Sequence, residues 1–267
     1  MTIHSLLEKL WLDYSEMNRQ AGVIHQALEA RGENVINDHV AFRTFDIPKV
    51  GIDVLAAPFV KLGYKAAADY DFAEKKLAAR HYQHADEQLP KIFISALRVS
   101  EFSEYLQKTI AGLVEQVPEA LTAREDFLVS GTPWKKNSWE QYQRLLKESE
   151  YAAWMAAFGF RVNHFTVFFN KLQTFRDFSE LNEFIKSIGF PLNPAGGEIK
   201  GSPQVYLEQS STLAHPVEVA FSDRREVIPA CYYEFARRYK MPDGKIFHGF
   251  LPESANKIFE STHYRKS

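Results

Sequence analysis

The spacing of apolar positions changes several times along the chain, and each change marks an element. Residues 5–32 repeat at helical intervals: Leu6, Leu7, Leu10 and Trp11 share one face, and Gly32 follows as a stop. From Val35 the pattern turns to strand chemistry, running Val35-Ile36-Asn37-Asp38-His39-Val40-Ala41-Phe42-Arg43-Thr44-Phe45. Residues 53–62 form an amphipathic stretch interrupted by Pro58 and closed by Gly63. Three further strands are predicted at 64–71, 77–84 and 92–99. The result is a βαβββ unit.

Residues 101–158 break this rhythm. Periodicity predicts helices over 102–114 and 138–158, separated by a Gly131-Thr132-Pro133 turn. A second βαβββ unit follows, with a strand at 161–169, a helix at 173–188, and strands near 190–199, 203–210, 216–221 and 230–238. Pro191, Pro194, Gly196 and Gly197 loosen its second strand. The two units look like copies. His39 lies 24 residues before Gly63, and His164 lies 25 before Gly189. Ile94-Ser95-Ala96-Leu97-Arg98 aligns with Tyr233-Glu234-Phe235-Ala236-Arg237 at the end of each unit. The expected fold class is α+β, with two βαβββ modules curved into one barrel-like sheet around a metal site. It forms a single domain over 1–267: an N-terminal helical segment (1–34), the first module (35–100), a helical insert (101–158), the second module (159–240) and a tail (241–267).

Composition narrows the function. The chain is 45% hydrophobic and 25% charged, which suits a globular domain, and 21 Phe with 12 Tyr suit a filled, curved sheet. A net charge of −2 gives no field favouring nucleic acid or an anionic membrane. No apolar run reaches membrane-spanning length. The acidic residues Glu8, Asp13 and Glu16 are unlike a signal or transit peptide, and a lone cysteine, Cys231, fits a reducing cytoplasm. Oligomeric state is not legible.

Strand side chains alternate faces. His39, Ala41 and Arg43 therefore point one way, as do His164, Thr166 and Phe168, and as do Tyr232, Glu234 and Ala236. If the modules pack side by side, His39, His164 and Glu234 converge in one concave sheet. Two histidines and a carboxylate with open positions is the set used by non-haem Fe(II) oxygenases. Arg43 would sit beside the metal, where a guanidinium grips a carboxylate, so an organic acid is the expected substrate. Alternatives stay open at this point. Glu234 could pair with Arg237 or Arg238, Arg43 could be a structural salt bridge, and Glu218 rivals Glu234 as third ligand. His81 could reach the cavity, whereas His81 and His84 face opposite sides of a strand. Gln204, Gln209, Ser210 and Ser211 lie on a predicted central strand, with Gln204 and Ser210 the chosen substrate contacts beside His39 and Arg43. Cys231 reads as buried packing. The chain holds no Gly-x-Ser-x-Gly elbow, phosphate loop, dinucleotide fingerprint or His-Glu-x-x-His.

The strand Tyr232-Tyr233-Glu234-Phe235-Ala236-Arg237-Arg238 resembles the last ligand strand of vicinal-oxygen-chelate enzymes, including the 4-hydroxyphenylpyruvate dioxygenases. Four pieces resemble the family once called DUF1338: Asn37-Asp38-His39-Val40-Ala41-Phe42-Arg43-Thr44-Phe45, Ser149-Glu150-Tyr151-Ala152-Ala153-Trp154, Val162-Asn163-His164-Phe165-Thr166-Val167, and Ile228-Pro229-Ala230-Cys231-Tyr232-Tyr233-Glu234-Phe235. The tail Lys257-Ile258-Phe259-Glu260-Ser261-Thr262 extends the resemblance. It implies an Fe(2+) centre held by His39, His164 and Glu234, with Arg43 on the 2-oxo acid. It also implies conversion of 2-oxoadipate and O2 to 2-hydroxyglutarate and CO2 in lysine catabolism. Characterised members are longer, with C-terminal sequence that helps close over the substrate, so family membership is the firmer expectation and substrate identity the looser one. Two readings from other classes remain: a metal-dependent hydrolase, isomerase or lyase on the same scaffold, and a non-catalytic protein that sequesters a small molecule.

Overall fold

Strand β1 (Asn37–Phe45) and strand β5 (Val162–Phe168) lie antiparallel at the centre of one sheet and set the frame for everything else. The computed structural model describes residues 2–124 and 126–253; the tail motif at 257–262 lies outside them. Before β1 come helices α1 (Ile3–Met17) and α2 (Arg19–Ala30). One continuous helix was expected here. Asn18 breaks it at φ −118°, ψ 73°, and its side chain donates to the Tyr14 hydroxyl at 2.8 Å.

The first unit continues with α3 (Ile52–Lys61), β2 (Lys65–Phe72), β3 (Leu77–Gln83) and β4 (Lys91–Leu97). Then come α4 (Glu104–Glu115), α5 (Glu119–Thr122), α6 (Trp139–Glu148) and α7 (Glu150–Phe158). Ser149 splits the expected 138–158 helix, because its extended backbone lets its side chain cap Ala152 and start α7 in a new direction. The second unit is β5, α8 (Phe178–Ser187), β6 (Lys200–Ser202), β7 (Leu207–Ser211), β8 (Pro216–Ala220), β9 (Arg225–Pro229) and β10 (Glu234–Arg238).

The main sheet has eight strands in the order β2-β3-β4-β1-β5-β10-β7-β6. Read from the middle outward, β1, β4, β3, β2 match β5, β10, β7, β6. In each half the first and last strands pair in parallel and the rest antiparallel, so the duplication seen in the sequence is real topology. The predicted strand at 216–221 departs from this. It forms β8 of a separate two-stranded hairpin with β9 instead of joining the sheet. The prolines and glycines of 190–199 reduce the second strand to the three residues of β6.

Ladder register also corrects the alignment of the two unit ends. Ala41 pairs with Phe93 and Thr166 with Glu234, so Phe93, rather than Ser95, is the structural counterpart of Glu234. One half thus supplies a carboxylate where the other supplies an aromatic ring. Helices α3 and α8 cover the convex face, where Phe42 meets Phe59 and Ser210 meets Asn182. Helix α7 fills one end of the concave face, where Tyr151 bonds to Ser95.

Glu33 ties the end of α2 to the loop before α8. Its carboxylate accepts from the amides of Gln173 and Thr174 and from the Thr174 hydroxyl. Burial pushes this carboxyl up, but those donors outweigh burial and hold it below its usual value. Glu33→Ala is expected to cost roughly 1 kcal/mol, the net worth of part-buried hydrogen bonds whose donors water can reach. A depressed acid stabilises above its unfolded pKa and loses that contribution on acidification. The difference between wild type and variant in urea denaturation should therefore be full above about pH 4.5 and shrink below it.

Candidate metal centre

The β1–β5 ladder places His39 opposite Thr166 and Ala41 opposite His164. The two histidines are therefore diagonal neighbours on the concave face, with ring centroids 5.5 Å apart. β10 runs parallel to β5 and sets Glu234 beside Thr166. The nearest contacts are 3.2 Å from Glu234 Oε2 to His164 Nε2 and 3.7 Å from Oε1 to His39 Nε2. One ligand atom from each of the three residues falls within a 4.8 Å set. All three are nearly sealed from solvent, at 2%, 4% and 1% exposure. The structure brings together the predicted triad.

The ladder skips one residue on β1 between Asn37 and His39, and one on β5 opposite the step from Ala41 to Phe42. The skipped residues are Asp38 and Asn163, each just before its histidine. A bulged residue escapes strict alternation. Asp38 Oδ2 accepts from His39 Nδ1 at 2.8 Å, and Asn163 Oδ1 accepts from His164 Nδ1 at 2.9 Å. With Nδ1 carrying the proton, Nε2 of each ring presents a lone pair to the centre. Burial lowers the His39 pKa, and burial with the His39 and Arg43 charges lowers that of His164 well below the usual value. Both rings are neutral and fit to be ligands.

Glu234 completes the argument for a cation. Oε1 accepts from Gln209 Nε2 at 2.6 Å, but Oε2 is buried with no hydrogen-bond partner. It lies 3.2 Å from Nε2 of His164, so in the ionised form two electron-rich atoms confront each other. Burial pushes the carboxyl pKa up to about 8. A buried carboxylate left this way is costly, and a divalent ion removes the cost for all three groups at once. The residues present fit a metal.

A second ring of contacts supports the first. Arg238 grips Asp38 through two bonds, at 2.6 and 2.8 Å, and Lys91 Nζ lies 3.6 Å from the same carboxylate. Burial pushes the Asp38 carboxyl up, but Arg238 and Lys91 overcome this and hold it well below the usual range. Arg238 also donates to the carbonyl oxygens of Phe247 and Gly249. This presents Phe250, whose ring stands edge-on to His39 at 4.8 Å. Tyr232 stacks on His164 at 4.6 Å.

Arg43 is buried, and its guanidinium lies over the rings of Tyr151 and Trp154. It also pairs with Glu150 at 3.1 Å. A cavity of about 530 Å³ lined by Arg43, Glu150, Tyr151, Lys75 and Lys76 opens on this side. Neither this cavity nor a larger one of about 700 Å³ beneath the β8–β9 hairpin is lined by a residue of the triad.

Other candidates fall elsewhere. Gln204 is exposed on a short turn at 203–205, because Pro203 ends the strand there. Ser210 is buried on the convex face and donates to Asn182 of α8 at 2.7 Å. The concave positions of β7 are its neighbours, Gln209 and Ser211, opposite Ala236 and Glu234. Glu218 sits on the exposed hairpin, paired with Arg225 at 2.7 Å. Arg237 packs on Phe169 and Tyr239, so neither it nor Arg238 serves as an ion-pair partner of Glu234. His81 lies by the centre, with Nδ1 2.8 Å from the Tyr70 hydroxyl and its ring 5.4 Å from that of Phe250. His84 instead accepts from the Asp86 amide. Cys231 is buried, and burial raises its thiol pKa. Sequence reasoning missed Asp38, Asn163 and Phe250, and it offered Arg238 to Glu234 where the structure pairs it with Asp38. The only signal was an Asp or Asn before each repeated histidine.

A half-barrel of two βαβββ units, with a His–His–carboxylate set in its concavity, is an architecture suited to a divalent metal. The chain belongs to the 2-oxoadipate dioxygenase/decarboxylase family, HGLS, which residues 5–247 match. The 2-oxoadipate dioxygenase/decarboxylase of Oryza sativa subsp. japonica, chloroplastic/amyloplastic, is 34% identical over 286 residues, covering 98% of this chain and 78% of that protein. A crystal structure of hydroxyglutarate synthase from Oryza sativa in complex with 2-oxoadipate superposes with a TM-score of 0.89 at 33% identity, covering 97% of this chain and 91% of that one. A crystal structure described as a putative hydrolase from Shewanella frigidimarina has a TM-score of 0.90 at 50% identity, covering 93% and 97%. Among the described residues no helix is long and apolar enough to cross a membrane.

Proposed function

We propose that this protein is an iron(II)-dependent dioxygenase that decarboxylates a 2-oxo acid, converting 2-oxoadipate and O2 to 2-hydroxyglutarate and CO2. The observation that carries the reading is the buried His39–His164–Glu234 group, in which one carboxylate oxygen, Oε2, has no hydrogen-bond partner among the described residues. The rice relative's name and its neighbour's bound 2-oxoadipate support the substrate. A reducing cytoplasm suits both the free Cys231 and an oxidisable iron.

His39, His164 and Glu234 would hold the ion, and iron(II) would supply the capacity to gather the acid with O2 and to transfer electrons between them. The protein does the rest. Asp38 and Asn163 keep the imidazole protons on Nδ1, so Nε2 stays available. Gln209 fixes the rotation of the Glu234 carboxylate. Arg43, held by Glu150 and flanked by Tyr151 and Trp154, offers a guanidinium to a carboxylate of the acid. Phe93, Phe250 and Tyr232 keep the chamber apolar, which excludes water.

The test is O2 uptake by the iron-loaded protein against 2-oxo acids of graded chain length. Consumption with one CO2 per O2, greatest for the six-carbon diacid, is expected. Iron-loaded protein that consumes no O2 with any acid sinks the reading. The neighbour described as a putative hydrolase gives a second reading some weight, since the same ligands accept zinc or nickel. Metal analysis after anaerobic purification separates them: zinc or nickel with no O2 uptake favours hydrolysis.

Arg43→Lys keeps the charge that answers Glu150 but loses the two-pronged grip. Its KM for the acid should rise roughly ten- to a hundredfold, the worth of a charge-assisted hydrogen bond. An unchanged KM in steady-state O2 uptake would remove Arg43 from the acid site.

A further inference from the structure

Among the described residues four tyrosines have less than 2% of their surface exposed: Tyr14, Tyr64, Tyr232 and Tyr233. Three of their hydroxyls have partners. Tyr14 donates to the Tyr232 carbonyl, Tyr64 to the Pro90 carbonyl at 2.9 Å, and Tyr233 meets His25 Nδ1 at 3.4 Å. The Tyr232 hydroxyl has none among the described residues. A buried hydroxyl without a partner costs roughly 1–3 kcal/mol, and phenylalanine would fill the same space without it.

The location suggests what the group is for. Tyr232 lies two residues before Glu234 on the same face of an extended segment. Its ring stacks on His164 with an interplanar angle of 23°, which fixes where the hydroxyl can point. The phenol thus lies against one metal ligand, two residues from another, where the charges of both Glu234 and Arg43 act on it. A phenol hydroxyl can donate, and this one is sealed from solvent with its ring held flat against a metal ligand. Donors in this setting are complemented by an oxygen of an anionic ligand.

We propose that the Tyr232 hydroxyl donates a hydrogen bond to a carboxylate or keto oxygen of the bound 2-oxo acid, making Tyr232 a substrate-binding residue alongside Arg43. The inference rests on the proposed function only in taking the ligand to be a 2-oxo acid at the metal. It explains why a hydroxyl is kept where the empty protein gains nothing from it.

The test compares wild type with Tyr232→Phe, each loaded with cobalt(II) and titrated anaerobically with 2-oxoadipate, reading the cobalt absorption spectrum. No turnover is needed. Cobalt affinity should be equal in the two proteins, and the metal-free variant should melt at the same temperature as wild type or higher. The dissociation constant for 2-oxoadipate should rise roughly ten- to a hundredfold. Equal dissociation constants overturn the assignment while leaving the proposed function standing. A lower melting temperature with unchanged acid binding shows a structural hydroxyl and also overturns it. Wild-type cobalt protein that gives no spectral response to the acid overturns both the assignment and the substrate reading.

Discussion

Glu234→Gln should abolish metal retention and yet leave a metal-free protein that is more stable than wild type at pH 8. Removing the one charged ligand of three should weaken metal binding by on the order of a thousandfold, about a third of the binding free energy of a full protein site. Stability moves the other way. In the metal-free fold the Glu234 carboxyl titrates at about 8 because it is buried. In the unfolded chain it titrates near 4.5. The folded state therefore holds a proton that the unfolded state has released. Stability from this group is full below about pH 4.5, falls as pH rises, and is gone above about pH 8. The upper bound on the loss is on the order of 5 kcal/mol, at about 1.4 kcal/mol per pH unit. Glutamine carries no such slope and keeps an oxygen for Gln209. Urea denaturation of both metal-free proteins from pH 5 to 8 should show the variant gaining on wild type throughout. A constant difference would mean that Glu234 is compensated by something other than a metal.

The same residue shows how much the sequence could reveal. Glu234 stood out because a carboxylate among Cys231, Tyr232, Tyr233 and Phe235 has no cheap explanation. His39 and His164 stood out because two strands repeated. Both signals are local, and both survive folding because β1 and β5 pair about a pseudo-twofold point at Val40 and Phe165. Asp38 and Asn163 were hidden because strict alternation sends the residue before a histidine to the other face. Only the two bulges bring them round, and a bulge has no reliable letter code. Gln209 and Ser210 are one residue apart, which in a strand exchanges the faces, and without the register the sequence does not say that Gln209 is the one turned to Glu234. Gln204 was misplaced by running a strand across Pro203. Asn18 and Ser149 hid inside good helical periodicity because a single polar residue does not disturb a hydrophobic stripe. Arg238 was read as a possible partner of Glu234, and its actual partner lies 200 positions away in the chain.

Arg238→Met is expected to be the most damaging change outside the three ligands. Arg238 and Asp38 are both sealed from solvent, and the pair is bidentate. Methionine fills much of the volume but leaves the Asp38 carboxylate with only Lys91, at 3.6 Å, to offset its charge. Breaking one side of a buried pair costs about 3–5 kcal/mol. The Phe247 and Gly249 carbonyl oxygens lose their donor as well, which frees Phe250 from the edge of His39. Asp38 could then recover by taking a proton, and a neutral acid holds the His39 imidazole less firmly. Metal affinity should fall roughly ten- to a hundredfold, as when an outer partner of a ligating histidine is lost. The two effects separate in the double variant Asp38→Asn with Arg238→Met. With the buried carboxylate gone and only the partly exposed Lys91 left charged, stability should partly return, while metal affinity should stay low because an amide oxygen replaces a carboxylate behind His39. Urea denaturation of the metal-free proteins reads the first effect, and competition with a chelator reads the second. Recovery of stability alone assigns the metal effect to the carboxylate behind His39, whereas a double variant that recovers both would show that an amide oxygen there serves as well and that Arg238 only balances a buried charge.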